Sequence, residues 1–174
     1  MRKKFPIYVV LENIRSLYNV GAIFRTSDGA GVEKIFLCGI TGCPDSEGST
    51  SESVNESTGS ASGRKISKTA LGAEKSVEWE YEEEAVDVIK KLKKKGVQIV
   101  GVEICKGAEN YFDAKMKFPI ALVFGHETEG VSQDVLNLCD KVVFVPMHGI
   151  KESLNVEAAF STVVYEMVRK YNSV

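Results

Sequence analysis

The feature that most constrains this chain is a short run of bulky apolar residues, Ile7-Tyr8-Val9-Val10-Leu11, ended by the charge of Glu12. So short a run, apolar throughout, is what a strand buried on both faces requires. Helical spacing follows it. Val20, Ile23 and Phe24 fall on one side of a helix over about 20–30, with Asn19 placed to cap it and Gly29 and Gly31 to end it. Ile35-Phe36-Leu37-Cys38 then reads as a second strand. Strand, helix, strand in this order points to parallel pairing.

The alternation continues toward the C-terminus. Ala85, Val88, Ile89 and Leu92 form the apolar stripe of a helix over about 83–95, with Glu82, Glu83 and Glu84 at its start and Lys93, Lys94 and Lys95 at its end. Both charge groups suit the helix dipole, and Gly96 stops the helix. The lysines read as a solvated helix end rather than a nucleic-acid patch. Strands are expected at Val97–Val102, Ile120–Phe124 and Val142–Val145, with Ser132 capping a short helix over about 133–138 and a last helix from about 154 to 171. The expected fold is α/β, a mainly parallel sheet flanked by helices, in one domain over residues 1–174.

One stretch breaks the pattern. Ser46 to Ser62 holds seven serines, two glycines and no bulky residue except Val54, so 41–63 is expected to be a flexible loop. Charge is uneven too. The net charge is −2, yet residues 1–40 carry six Lys/Arg against three Asp/Glu. A broad cationic field is excluded, whereas a local site for a polyanion is not. No stretch has the roughly 20 apolar residues of a membrane span, and the N-terminus does not read as a signal peptide. Four scattered cysteines (Cys38, Cys43, Cys105, Cys139) suit a reducing cytoplasm better than a disulfide framework or a zinc site. His126 and His148 lack metal-ligand spacing, so no metal is expected.

Ligands of open α/β sheets collect beyond the carboxyl ends of strands. Three such ends are polar or glycine-rich: Asn13-Ile14-Arg15 through Asn19-Val20-Gly21-Ala22-Ile23-Phe24-Arg25-Thr26, Phe124-Gly125-His126-Glu127-Thr128-Glu129-Gly130, and Pro146-Met147-His148-Gly149 through Ser153-Leu154-Asn155. Neither a G-x-G-x-x-G fingerprint nor a Walker loop is present. Asn19, Ser153 and Asn155 can each be a helix cap, and Glu127 can serve only its own loop. Arg25 is harder to assign to structure alone, since an arginine flanked by Ile23 and Phe24 is rarely buried without a partner.

Together, and with Leu122-Val123 before the second segment, Val131-Ser132 after it and Val156 after the third, these segments closely resemble the three motifs of the SpoU (TrmH-like) RNA 2′-O-ribose methyltransferases. Lys68-Thr69-Ala70-Leu71-Gly72-Ala73 also resembles that family, and the similarity runs from about residue 7 to 171. The resemblance implies a C-terminal trefoil knot, a homodimer, S-adenosylmethionine as methyl donor, and a ribose 2′-hydroxyl of tRNA or rRNA as acceptor. It implies Arg25 as the catalytic residue, with Asn19, Ser153 and Asn155 shaping the ribose site and Glu127 orienting the motif. Val102, Glu103, Gly125, Val145, Met147 and Leu154 would hold the donor; Arg15, Arg64, Lys65 and Lys68 are candidates for phosphate contacts. In a dimer the apolar strip of the last helix, around Phe160, Val164 and Met167, either meets its mate or covers its own sheet. A non-catalytic RNA-binding protein of the same fold is the competing reading.

Overall fold

The computed structural model describes residues 3–45 and 61–173. Among the described residues, seven strands form one sheet: β1 (Phe5–Glu12), β2 (Val32–Cys38), β3 (Glu78–Glu82), β4 (Gln98–Val102), β5 (Glu109–Asn110), β6 (Ile120–Phe124) and β7 (Lys141–Phe144). Their order is β3-β2-β1-β6-β4-β7-β5 and every pairing is parallel. The helices among the described residues are α1 (Leu17–Ala30), α2 (Ala61–Ala70), α3 (Ala73–Ser76), α4 (Ala85–Lys94), α5 (Gln133–Leu136) and α6 (Val156–Tyr171).

The apolar runs become the centre of the sheet. Alternate residues of β1 point to opposite faces: Ile7, Val9 and Leu11 pack against α1, α2 and α6, whereas Val10 packs against α4 and α5. β6 lies beside β1 in the register Leu11↔Phe124, and all five of its residues are buried. Beyond Phe124, the Phe160 ring of α6 meets the Phe124 ring edge-on, with centroids 5.4 Å apart. β2 and β3 extend the sheet to one side of this central pair, and β4, β7 and β5 to the other. The junction of β1 and β6 is therefore the point where the strand order reverses, the place where α/β sheets bind ligands.

Several boundaries differ from the sequence reading, each for a physical reason. The cap of α1 is Ser16, not Asn19. Its hydroxyl accepts the Asn19 backbone N–H at 3.3 Å, so the helix begins one turn earlier and Asn19 lies in its first turn. Asn155 does cap α6, accepting the Glu157 N–H at 2.9 Å. β3 is an edge strand hidden by its glutamates: Trp79 packs on the core while Glu78 and Glu80 pair with Lys4 and Lys34. Consequently Glu82 ends a strand instead of opening the next helix. β5, only two residues long, carries no pattern to read.

The two ends of the loop expected over 41–63 are anchored, the second of them in a helix. Thr41 is buried, its hydroxyl donating to the Leu11 carbonyl and accepting the Ile14 N–H, both at 3.0 Å. At the other end α2 already begins at Ala61, and Ile66 and Ala70 anchor it in the core. The centre of that loop, 46–60, lies outside the described residues. Phe160, Val164 and Met167 are fully buried within their own chain, so this strip covers the sheet and does not face a second copy.

α1 and α2 meet almost backbone to backbone. A Cβ on Gly21 would lie 2.1 Å from Thr69 Oγ1 and 2.3 Å from the Ile66 carbonyl oxygen. Only a residue without a side chain allows this approach, which sets α2 against the site-bearing face of α1. Overpacking of this kind costs about 1–3 kcal/mol. Gly21→Ala is expected to lower the melting temperature by roughly 2–12 °C, at about 2–4 °C per kcal/mol for a domain of this size, as measured by calorimetric or circular-dichroism melting.

Candidate functional site

At the carboxyl ends of β4, β6 and β7 lies a cavity of about 490 Å³. Val102 and Glu103 form one wall, the turn from Gly125 to Gly130 the second, and Val145 with Ser153, Leu154 and Asn155 the third. Of the residues expected to hold the donor, Val102, Glu103, Gly125, Val145 and Leu154 line this cavity. Met147 does not; it sits half-buried in the loop beyond Val145.

The 125–130 turn is closed tightly on itself. Gly130 N–H donates to the His126 carbonyl at 2.8 Å and closes the turn. A Cβ on Gly125 would stand 2.2 Å from the Gly130 carbonyl, and Gly130 itself has φ +73° with Glu103 Oε2 in the place of a side chain. Both glycines are therefore steric requirements. His126 Nδ1 accepts the N–H groups of Thr128 and Glu129 at 3.2 Å each, so this histidine staples the turn. Glu103 accepts from Ile104 N–H at 2.8 Å and Val131 N–H at 2.9 Å, fixing the far side of the same loop. Glu12, which ends β1, accepts the Ser132 N–H at 2.9 Å and its hydroxyl at 2.6 Å. The sequence showed Glu12 only as the end of an apolar run, yet it ties β1 to the start of α5.

Glu127 joins this loop to the first motif. Its carboxylate accepts Arg15 N–H at 3.0 Å, Ser16 N–H at 2.9 Å and Asn19 Nδ2 at 3.3 Å. Asn19 Oδ1 in turn accepts Asn155 Nδ2 at 3.4 Å. Thus Glu127, Asn19 and Asn155, expected at one site from three separated segments, form one hydrogen-bonded chain. Ser153 lines the cavity beside them.

Arg25 lies elsewhere. It is exposed, further along α1, and lines a second cavity of about 560 Å³ with Ala22, Thr26, Lys68, Thr69, Glu157 and Tyr165. Lys68 is thereby placed with Arg25, whereas the exposed Arg64 and Lys65 of α2 and the exposed Arg15 do not line this groove. Three residues here escaped sequence reasoning. Thr26 Oγ1 donates to Glu157 Oε1 at 3.3 Å, and Ser161 Oγ donates to the same oxygen at 2.8 Å. The signal that could have found them is the four-residue spacing of Glu157 and Ser161 on a helix whose opposite face is apolar.

This arrangement, a parallel sheet with a pocket at the carboxyl ends of β4, β6 and β7 and a polar bridge to α1, has known counterparts. The chain matches the SpoU rRNA Methylase family over residues 6–165. It is 28% identical over 169 residues to a tRNA (guanosine(18)-2′-O)-methyltransferase of Aquifex aeolicus, covering 97% of this chain and 72% of that protein. It is 29% identical to a 23S rRNA (guanosine-2′-O-)-methyltransferase RlmB of Ralstonia nicotianae, covering 95% of this chain and 59% of that one. Among solved structures, the A. aeolicus TrmH/SpoU tRNA modifying enzyme superposes with a TM-score of 0.79 at 26% identity, over 99% of this chain and 78% of its own. The chain belongs to the SpoU rRNA methylase family.

The Glu127 clasp has a pH signature. Burial pulls its carboxyl upward, but the N–H groups of Ser16 and Arg15 and the Asn19 amide outweigh this and hold it below its ordinary value. A group depressed on folding contributes stability above its unfolded value and loses it as pH falls through the folded value. Glu127→Gln, which faces an N–H with an amide NH2, is expected to lower the melting temperature by about 2–4 °C at pH 7, for roughly 1 kcal/mol. The gap to wild type should narrow as the pH is taken down to about 3, in melts recorded across that range.

Proposed function

We propose that this chain transfers a methyl group from S-adenosylmethionine to a ribose 2′-hydroxyl of structured RNA. The observation that carries the reading is the link from the pocket at the strand ends, through Glu127, Asn155 and Asn19, to the helix that bears Arg25. The pocket suits the donor. Its walls offer backbone groups and the apolar Val102, Val145 and Leu154 to a flat adenosyl moiety, and the carboxylate of Glu103 is fully engaged with loop N–H groups. When bound there, the donor supplies a methyl group already made electrophilic by a sulfonium.

The protein has to hold the acceptor in line and exclude water, which for well-oriented groups is worth about 7–11 kcal/mol. Arg25 and Lys68 present two cations in an open groove, suited to a backbone phosphate beside the target ribose. Asn19, Asn155 and Ser153 offer hydrogen bonds to ribose hydroxyls. Both tRNA and rRNA suit this site, and tRNA is the first substrate to test. A reducing cytoplasm fits the four unpaired cysteines. A non-catalytic RNA-binding role would leave unexplained the hydrogen-bonded union of Asn19, Glu127 and Asn155.

The working unit is a homodimer in this reading. What supports it is that Arg25 lies outside the donor pocket of its own chain, so a second copy has to complete the site. Since the apolar strip of α6 is buried, the contact falls on the outer face of α1 and α6, where Tyr165 is 52% exposed. Sedimentation at micromolar concentration is expected to give twice the chain mass, and a clean monomer would reject the dimer.

Transfer of labelled methyl from S-adenosylmethionine to tRNA and rRNA, followed by nuclease mapping, tests the activity. Arg25→Ala is expected to reduce transfer by at least about 100-fold, as removal of one transition-state contact does. Calorimetry should show S-adenosylhomocysteine still bound by that variant. Activity within a few-fold of wild type would remove Arg25 from the mechanism.

A further inference from the structure

Methylation of a hydroxyl releases a proton, and a guanidinium, protonated up to a pH above about 12, is a poor group to receive it. Four carboxylates line the two cavities: Glu103, Glu127, Glu129 and Glu157. Glu103 and Glu127 have both oxygens occupied by loop N–H groups. Glu129 is exposed at the tip of its turn and does not share a cavity with Arg25. Glu157 alone of the four does.

Glu157 is also held as a proton acceptor should be. Thr26 from α1 and Ser161 from α6 both donate to Oε1, at 3.3 Å and 2.8 Å, while Oε2 has no partner among the described residues. The charged and titratable groups lining the groove with it are Arg25 of α1, Lys68 of α2 and Tyr165 of α6, and among the described residues neither cation forms an ion pair with it. Its backbone N–H is bound by Asn155, so the polar chain that starts at Glu127 ends on this residue.

We propose that Glu157 is a catalytic residue that takes the proton from the ribose 2′-hydroxyl, a role that rests on the methyl-transfer reading above. As the ribose oxygen bonds to the methyl carbon of the donor held by the second copy of the dimer, the sulfur–carbon bond breaks and its electron pair stays on sulfur. The hydroxyl proton passes to Oε2 of Glu157 and is released to solvent once the product has left. Arg25 and Lys68 hold the neighbouring phosphate and keep the hydroxyl against the carboxylate.

The test is Glu157→Gln, which keeps an oxygen for Thr26 and Ser161 but cannot take the proton. Proton transfer of this kind contributes about 10²–10⁴-fold, so kcat for methyl transfer is expected to fall at least about 100-fold. RNA affinity by filter binding and S-adenosylhomocysteine affinity by calorimetry should stay within about threefold. The fall of wild-type kcat on the acid side of its pH profile should be absent in the variant. Wild-type kcat in E157Q, or a loss of RNA affinity that matches the loss of rate, would overturn the assignment. If E157Q does not fold, Ser161→Ala removes the shorter anchor; a rate about tenfold lower with the acid limb retained supports the role, and an unchanged rate overturns it. Failure of the wild-type enzyme to transfer methyl at all would instead refute the activity on which the assignment rests.

Discussion

The three hydrogen bonds that Glu127 accepts are the interaction on which the site depends. They draw the start of α1 toward the loop that follows β6, across more than a hundred residues of sequence. With that end of α1 fixed, Asn19 faces Asn155 and the helix runs in a direction that puts Arg25 and Thr26 over α6. Without the clasp, two backbone N–H groups would face solvent and the first motif would be tied to the second only through the sheet. One side chain thus turns an adjacency of strands into an adjacency of functional groups.

α6 lies between the two cavities. Asn155, Val156 and Ala159 face the pocket at the strand ends, while Glu157 and Tyr165 face the groove over α1. Its third side, with Phe160, Val163, Val164 and Met167, is buried on the sheet. A helix committed on three sides has little freedom to slide, so pocket and groove hold a constant relation within the chain. The same commitment explains why the last helix cannot offer its apolar strip to a second copy.

Much of this was legible in the residues. Short apolar runs announced β1, β2, β4, β6 and β7 because strands packed beneath helices need apolar residues on the faces they bury, and the stripe of α4 carried its own period. The motif segments identified Asn19, Glu127, Ser153 and Asn155, all of which the fold gathers at one end of the sheet. What stayed hidden had a different cause each time. β3 is an edge strand whose glutamates are satisfied by lysines from elsewhere in the fold, so its local composition argues against it. Ser16 and Asn19 are both competent caps, and only the tertiary use of the Asn19 amide decides between them. That Arg25 opens on a different cavity from the donor pocket follows from how α1 is turned, which no spacing rule specifies. Thr26 meets Glu157 and Ser161 across two helices, and of the three only the four-residue spacing of Glu157 and Ser161 left a trace in the sequence.

The tight closure of the 125–130 turn has an evolutionary consequence. Gly125 and Gly130 cannot accept even a methyl group, because the Gly130 carbonyl and the Glu103 carboxylate already stand where it would go. Selection then acts on the path of the chain more than on its lettering. A protein and its relative in A. aeolicus can differ at roughly three positions in four and still keep a TM-score of 0.79.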